Sequence, residues 1–359
     1  MLVTLPHLLK DWPVEGALCS HYKAVAEAHN AWVKDSGFFS QKQTYALLKL
    51  DATLLCSMLY PDCDEVMLRL LSDLFAVSFL FDDHFERSKA EDVLEQTKAF
   101  GRAYSDPDSS LLDPANPLLK VTQDLAIAMR KEAPEAFPML AVTWETWMQG
   151  ICEEALFHAA KKQFDVNFDE FIEHRLRTAA GEWAIGAVLL QCKFPANLLD
   201  HPVIAKMRYE AALLAAIAND VYSFNIEQSR GHGGNTVIIS MKQYSFDAQE
   251  ALDHIGVYSR QHEESFMELM NQAPSTDDPY VNSQIKAYIS SLAKFVIGTN
   301  NWHVESSRYR GNVSLESFRK DRQVTLLPKT MTEKHNGAEI EVVTHPSNLN
   351  QTENLVAVA

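Results

Sequence analysis

Two oxygen-rich clusters stand far apart in the chain: Asp82-Asp83-His84-Phe85-Glu86 and Asn219-Asp220-Val221-Tyr222-Ser223-Phe224-Asn225-Ile226-Glu227. In the second, Asn219, Ser223 and Glu227 recur at every fourth position, a step that advances only about 40° around a helix of 3.6 residues per turn. An amide, a hydroxyl and a carboxylate therefore share one helix face. Such a set holds a divalent cation while leaving positions open for phosphate oxygens. In the first cluster Asp82 and Glu86 lie one turn apart, with Asp83 beside them, and present carboxylates to one cation. Mg²⁺ takes hard oxygen ligands and keeps waters or phosphates around it, so the clusters read as two walls of one Mg²⁺-diphosphate site. Taken singly, the first also fits a solvated acidic helix end, and the second a polar run on a surface helix.

Basic residues accompany these clusters. Arg175 and Arg177 fall in Glu173-His174-Arg175-Leu176-Arg177-Thr178-Ala179-Ala180-Gly181, where the Ala-Gly step is suited to interrupt a helix. Arg230 and His232 lie on a Gly-rich loop directly after the second cluster, placed to fold over an anion. Arg308 sits in Arg308-Tyr309-Arg310. The planar guanidinium fork suits diphosphate through paired charge-assisted hydrogen bonds, although any one of these arginines also fits a plain solvated charge.

The elements that must carry these residues are helices. From about Ser20 to Ser307 apolar residues repeat at three and four, as in Val66-Met67-Leu68-Leu70-Leu71-Leu74-Phe75, Leu140-Val142-Trp144-Trp147-Met148 and Ile204-Met207-Ala211-Leu214. Turn signals separate the segments at Asp106-Pro107-Asp108, Asp113 to Pro117, Phe194-Pro195 and Ala273 to Pro279. Alternating strand patterns are nearly absent. The expected fold is all-α, one domain of around ten helices, with several helices apolar on more than one side as in a bundle centre. Phe75 and Phe79 continue the stripe of Asp82 and Glu86, aromatic below and acidic above. Ala212, Ala215 and Ala216 lie below Asn219 and leave room for an apolar ligand. After Gly311 the chain turns polar, so residues 1–311 are expected to fold and 312–359 to form a flexible extension, with a short strand at 340–343 as an alternative.

Composition narrows the partners. A net charge of −16 with no basic tract argues against nucleic acid and anionic membranes. No basic-then-apolar leader and no run of ~20 apolar residues is seen. The five scattered cysteines, without a CxxC pair, read as reduced thiols of a cytoplasmic protein.

In combination, these residues resemble the class I terpene synthases, nearest the microbial and fungal sesquiterpene synthases with a single α domain. Asp82-Asp83-His84-Phe85-Glu86 looks like that family's aspartate-rich motif. Asn219, Ser223 and Glu227 match its (N/D)Dxx(S/T)xxxE motif at every defining position. Arg175 sits where the family has its pyrophosphate-sensing arginine, Arg308-Tyr309 looks like its RY pair, and Trp302 stands where an active-site aromatic is common. The resemblance spans roughly residues 20–311 and implies a helical bundle around a central cavity.

It further implies that Asp82 bridges two Mg²⁺ ions while Asn219, Ser223 and Glu227 chelate a third, with Mn²⁺ able to stand in. Arg175, Arg308 and Tyr309 would bind diphosphate, and Thr178 and Ala179 would form the linker and effector positions of a helix break. Asp83 and Glu86 often lack direct metal contact in the family. Where some relatives carry Lys just before the motif Glu, this chain has Ile226, so Arg230 or His232 would substitute. The implied reaction is Mg²⁺-dependent ionisation of farnesyl diphosphate and cyclisation of the allylic cation to a sesquiterpene hydrocarbon or alcohol. Diphosphate leaves only if its charge is neutralised, and the cation survives only in a dry pocket with aromatic faces. Phe79 and Trp302 are the faces selected; Phe75, Trp144, Trp147 and Trp183 are further candidates, and helically spaced aromatics otherwise pack cores. Alternatives are a synthase releasing acyclic alcohols such as linalool or nerolidol from geranyl or farnesyl diphosphate, and a non-catalytic isoprenoid-binding helical protein. Chain-elongating enzymes resemble a pair of DDxxD motifs, which the Asn/Ser/Glu set does not match. A prenyl diphosphate is the expected partner, and the protein is expected to be a monomer or homodimer.

Overall fold

Helix boundaries follow cap chemistry. A computed structural model of the chain describes residues 1–329 except 87–89, 111–112, 114, 160–165, 180 and 311–312, with the backbone alone described at 82–86, 90–91, 155, 157–159 and 307. Strand β1 (Leu2–Thr4) precedes helices α1 (Tyr22–Asp35), α2 (Gln41–Leu50), α3 (Ala52–Leu59) and α4 (Glu65–Glu86). Asp51 explains why α2 and α3 are separate: its φ of 50° ends the first, and its carboxylate accepts from the Leu54 N–H to start the second. Next come α5 (Ala90–Ser105), α6 (Pro117–Glu132) and α7 (Phe137–Ala159). Helix α8 (Phe168–Thr178) opens on a capping box between Asn167 and Glu170. It stops at Thr178, and α9 (Gly181–Gly186) begins after the break that the Ala-Gly step suggested.

The longest helix, α10 (Pro202–Arg230), starts with Pro at its first position and ends at Gly231, whose φ of 75° is a left-handed cap. Asn235 then caps α11 (Thr236–Tyr244), and Asp247 with Glu250 boxes α12 (Ala248–Met270). Helix α13 (Pro279–Glu305), capped by Asp278, leads to the short α14 (Ser307–Arg310) and α15 (Leu315–Asp321). Fifteen α-helices are thus present among the described residues, more than the ten or so expected, because caps divide stretches that share one apolar period.

Helix α10 packs against α9, α11, α12 and α13, and buries Ile204, Met207, Ala211, Leu214 and Ile217 along with many neighbours. Helix α13 also packs on α3, with Gly298 at the crossing; a Cβ there would collide with the Met58 carbonyl, so the two backbones meet directly. Helices α5 and α7 form another close pair. Among the described residues no helix is long and apolar enough to cross a membrane. All five cysteines are free thiols.

The flexible reading of residues 312–359 needs correction over its first part. Ser314 caps α15, and β2 (Gln323–Thr325) pairs antiparallel with β1 in the register Leu2↔Thr325, Val3↔Val324 and Thr4↔Gln323. Phe318 and Val324 are buried, so two apolar side chains anchor a stretch whose composition is otherwise polar. The segment also grips the outer side of α10. The Leu327 N–H donates to Asn225 Oδ1, Gln228 Nε2 donates to the Leu327 carbonyl, and Arg322 Nη1 donates to the Tyr222 hydroxyl. Residues 340–343, where a strand was an alternative, lie outside the described residues.

Candidate active site

A cavity of about 230 Å³ opens where α3, α4, α7, α8, α9, α10, α13 and α14 converge. Along α10 its lining runs from Glu227, Ser223 and Asn219 to the small side chains of Ala216 and Ala215. Amide, hydroxyl and carboxylate share one face, as their spacing required. Ala212 is displaced from the lining and packs toward Gly181. Helix α8 brings Arg175 and Thr178, and Ala179 follows at its end; Arg230, expected on the Gly-rich loop, is instead the last residue of α10, and the loop beyond it brings His232. Helices α13 and α14 supply Trp302, Arg308 and Tyr309. Arg177 goes elsewhere: it is exposed and its Nη2 donates to Glu153 at 3.2 Å. Asp82, Asp83 and Glu86 belong to the last turn of α4, and their side chains lie outside the described residues.

Helix α4 contributes Phe79 and, one turn earlier, Phe75. Phe79 lies against Trp302 with ring centroids 6.3 Å apart, and Phe75 against Trp183 at 5.1 Å. Trp147 lines the cavity as well, and its Nε1 donates to the Thr178 carbonyl. Trp144 is not in the lining. It stacks on Tyr104 at 4.6 Å and donates to the Phe100 carbonyl, so it belongs to the α5–α7 core. The Arg308 guanidinium sits 5.5 Å from the ring centres of both Phe79 and Tyr309, within cation–π range.

Arg175 is the hub of the polar half. Its Nε donates to Asp220 Oδ1 at 2.8 Å, its Nη2 to Asn219 Oδ1 at 2.8 Å and its Nη1 to Thr178 Oγ1 at 3.3 Å. Burial works against its charge, but Asp220, Glu154 and Glu227 outweigh that and hold the proton more firmly than in a free arginine. Asp220 is fully buried, and its other oxygen accepts from the Thr236 N–H at 2.8 Å. Burial pushes its carboxyl up to about 6 despite the opposing pull of Arg175. Asn235 Nδ2 donates to both the Asp220 carbonyl and Glu227 Oε2, each at 2.8 Å, and so ties the start of α11 to the end of the α10 face.

Three contributors escaped sequence reasoning. His303 lines the cavity and is 2% exposed; its Nδ1–H donates to the Thr299 carbonyl at 2.7 Å, and Asn219 Nδ2 lies 3.2 Å from its Nε2. Burial lowers this imidazole to about 4. Glu154 shares a stripe of α7 with Trp147 and Ile151, all three lining the cavity. Asn235 is the third. The first two carried a signal, because Phe295, Thr299 and His303 and likewise Trp147, Ile151 and Glu154 repeat at three and four.

The donors fit a hard divalent cation: Asn219, Ser223 and Glu227 offer neutral and charged oxygen on one wall, with cationic Arg175, Arg230 and Arg308 available for anionic oxygens. Among the described residues no group of three His, Cys, Asp or Glu side chains is placed to share a metal.

Residues 73–265 match the family model described as terpene synthase family 2, C-terminal metal binding. The chain is 27% identical over 337 residues to a Delta(6)-protoilludene synthase of Armillaria gallica, spanning 92% of this chain and 96% of that protein. It is also 27% identical over 326 residues to the sesquiterpene synthase Agr8 of Cyclocybe aegerita, spanning 90% of each. Among solved structures, a-eudesmol synthase superposes with a TM-score of 0.74 at 21% identity, over 82% of this chain and 98% of that one. The germacradien-4-ol synthase of Streptomyces citricolor gives 0.70 at 21%, over 81% and 96%. These two likenesses establish the fold, the class I α-helical bundle. With more than half of its length matched by the family model, the chain belongs to terpene synthase family 2 and is a class I terpene synthase.

Proposed function

We propose that this terpene synthase takes farnesyl diphosphate with Mg²⁺, ionises it, and closes the allylic cation to a cyclic sesquiterpene hydrocarbon or alcohol. The observation that carries the reading is the two-part lining of one cavity: oxygen donors and arginines adjoin aromatic and aliphatic walls. The sesquiterpene synthases among the relatives point to a fifteen-carbon substrate. Arg175, Arg230, Arg308 and Tyr309 would hold the diphosphate. Asn219, Ser223 and Glu227, together with Asp82 and, in support, Asp83 and Glu86, would hold three Mg²⁺ ions. Bound metal supplies positive charge that neutralises the leaving group as the C–O bond breaks and its electron pair departs with diphosphate.

The chain's own side chains do the remaining work. Arginine forks orient the diphosphate and add fixed donors where negative charge develops. The faces of Phe79 and Trp302 meet the allylic cation, while Leu55, Leu59, Phe75 and Phe295 exclude water that would quench it. Ring closure forms a C–C bond, and the last cation is discharged by loss of a proton, either directly to the hydrocarbon or after addition of one water to the alcohol. We extend the catalytic unit past residue 311 to include α15 and β2, since that segment is bonded to α10. Free cysteines fit a reducing compartment, the cytoplasm.

Incubation with geranyl, farnesyl and geranylgeranyl diphosphates and Mg²⁺, followed by GC–MS, tests the reading. A cyclic fifteen-carbon product from farnesyl diphosphate is expected. Turnover confined to another chain length, or acyclic alcohols alone, would overturn it.

A further inference from the structure

We infer that His303 is a positioning residue that fixes which end of the Asn219 amide faces the metal wall. The inference rests on the reading of Asn219 as a metal ligand. An amide ligates a hard cation through oxygen alone, yet its two ends have nearly the same shape, so something must choose between them. His303 has the chemistry to choose. Its Nδ1–H is committed to the Thr299 carbonyl at 2.7 Å, which leaves the lone pair of a neutral ring on Nε2. That nitrogen accepts and cannot donate. Asn219 must therefore turn Nδ2 toward it, at 3.2 Å, and its Oδ1 points the other way.

The ring is in no position to change its answer. Tyr222 stacks on it at 5.4 Å with planes 14° apart, Tyr309 lies 5.0 Å away, and the side chain is buried. On the opposite side Oδ1 accepts from Arg175 Nη2 at 2.8 Å. A flipped amide would set N–H donors against the guanidinium and a lone pair against a lone pair, so both neighbours enforce one orientation. They differ in what happens during turnover. Arg175 is the group proposed to engage diphosphate, and once its fork is spent there it no longer holds Oδ1. His303 stays, and keeps the oxygen aimed while the ligand set assembles. A hydrogen-bond partner behind a metal ligand orients that ligand, and its removal typically alters metal affinity ~10–100-fold.

The test is Mn²⁺ binding in the presence of inorganic diphosphate, read by loss of the free-ion EPR signal, with thermal melts to verify folding. H303F fills the same slot without an acceptor, and H303N keeps a donor near Thr299 but withdraws the acceptor from Asn219. Both should weaken Mn²⁺ binding by ~10–100-fold. H303Q, whose amide oxygen reaches the Nε2 position, should restore most of it. In an Asn219→Asp background the carboxylate has two equivalent oxygens, so H303F should cause no further loss. Wild-type affinity in H303F and H303N, or an equal loss in the N219D background, overturns the inference. If N219A also bound Mn²⁺ as tightly as wild type, the ligand reading itself would fall, a result distinct from failure at His303 alone.

Discussion

Arg175 Nη2 donates to Asn219 Oδ1 across 2.8 Å, so the basic side chain of α8 holds the first donor of the α10 oxygen face. The same guanidinium is paired with the buried Asp220 at 2.8 Å. A lysine could keep a positive charge near Asp220, but not the fork that serves Asp220 and Asn219 together. Arg175→Lys should therefore stay folded and lose ~10²–10³ in kcat, the scale seen on removing one transition-state donor. Steady-state kinetics beside a melting curve check this; an unchanged kcat would remove Arg175 from the chemistry.

Glu227 has two tasks that substitutions separate. Its Oε2 accepts from Asn235 Nδ2, and its charge belongs to the proposed metal wall. Glu227→Gln retains an oxygen for Asn235 and loses the charge, so it should melt like wild type while metal-dependent turnover collapses by at least ~10²-fold. Glu227→Ala should lose turnover and some stability, because Asn235 Nδ2 then keeps only its bond to the Asp220 carbonyl, a loss of ~0.5–1.5 kcal/mol for one hydrogen bond. Full activity in E227Q would exclude a charged ligand at this position.

Phe79 meets both Trp302 and the Arg308 guanidinium. Phe79→Leu keeps an apolar wall but removes the π face. A cation–π contact worth ~0.5–1 kcal/mol corresponds to a roughly two- to fivefold rise in KM through Arg308. The same change should redistribute products in GC–MS, since a cation-facing surface is altered. An unchanged product profile would place Phe79 in the wall but not against the reacting carbons.

Stability should rise with pH between about 5 and 7. Burial lowers His303 to about 4 and also brings His7, His174 and His254 below the ordinary 6.5. The unfolded chain protonates these rings near 6.5 and the native chain does not, so their contribution is complete above 6.5 and is lost as pH falls. Between pH 6.5 and 5 His303 alone accounts for about 2 kcal/mol, at ~1.4 kcal/mol per pH unit. Asp220 opposes this: raised by burial from 3.8 to about 6, it favours the native state at low pH and loses that contribution as pH rises through 6. Four rings should outweigh one carboxyl. Melting temperatures measured across this range should climb, and H303F should flatten the climb; a falling curve would contradict the burial of neutral imidazoles.

Periodicity revealed what is local. The spacing of Asn219, Ser223 and Glu227 placed three donors on one face of α10, and the Ala-Gly step marked the break between α8 and α9. What depends on packing between distant segments was not legible. Trp144 and Trp147 lie three residues apart on a helix apolar nearly all round, and only the packing of α5 against α7 decides that Trp147 alone reaches the cavity. Strand β2 has no local signature, because its pairing partner is at the other end of the chain. His303 and Asn235 become meaningful only when α10 is beside them, since a hydrogen-bond partner is a tertiary fact.

The most direct test of the account is release of diphosphate from farnesyl diphosphate by the purified full-length protein, measured with and without Mg²⁺. Release that requires Mg²⁺, disappears in Asn219→Ala and accompanies a volatile fifteen-carbon product is the predicted result. Release that is independent of Mg²⁺, or that persists at wild-type rate in Asn219→Ala, would contradict a metal-dependent ionisation on the α10 face.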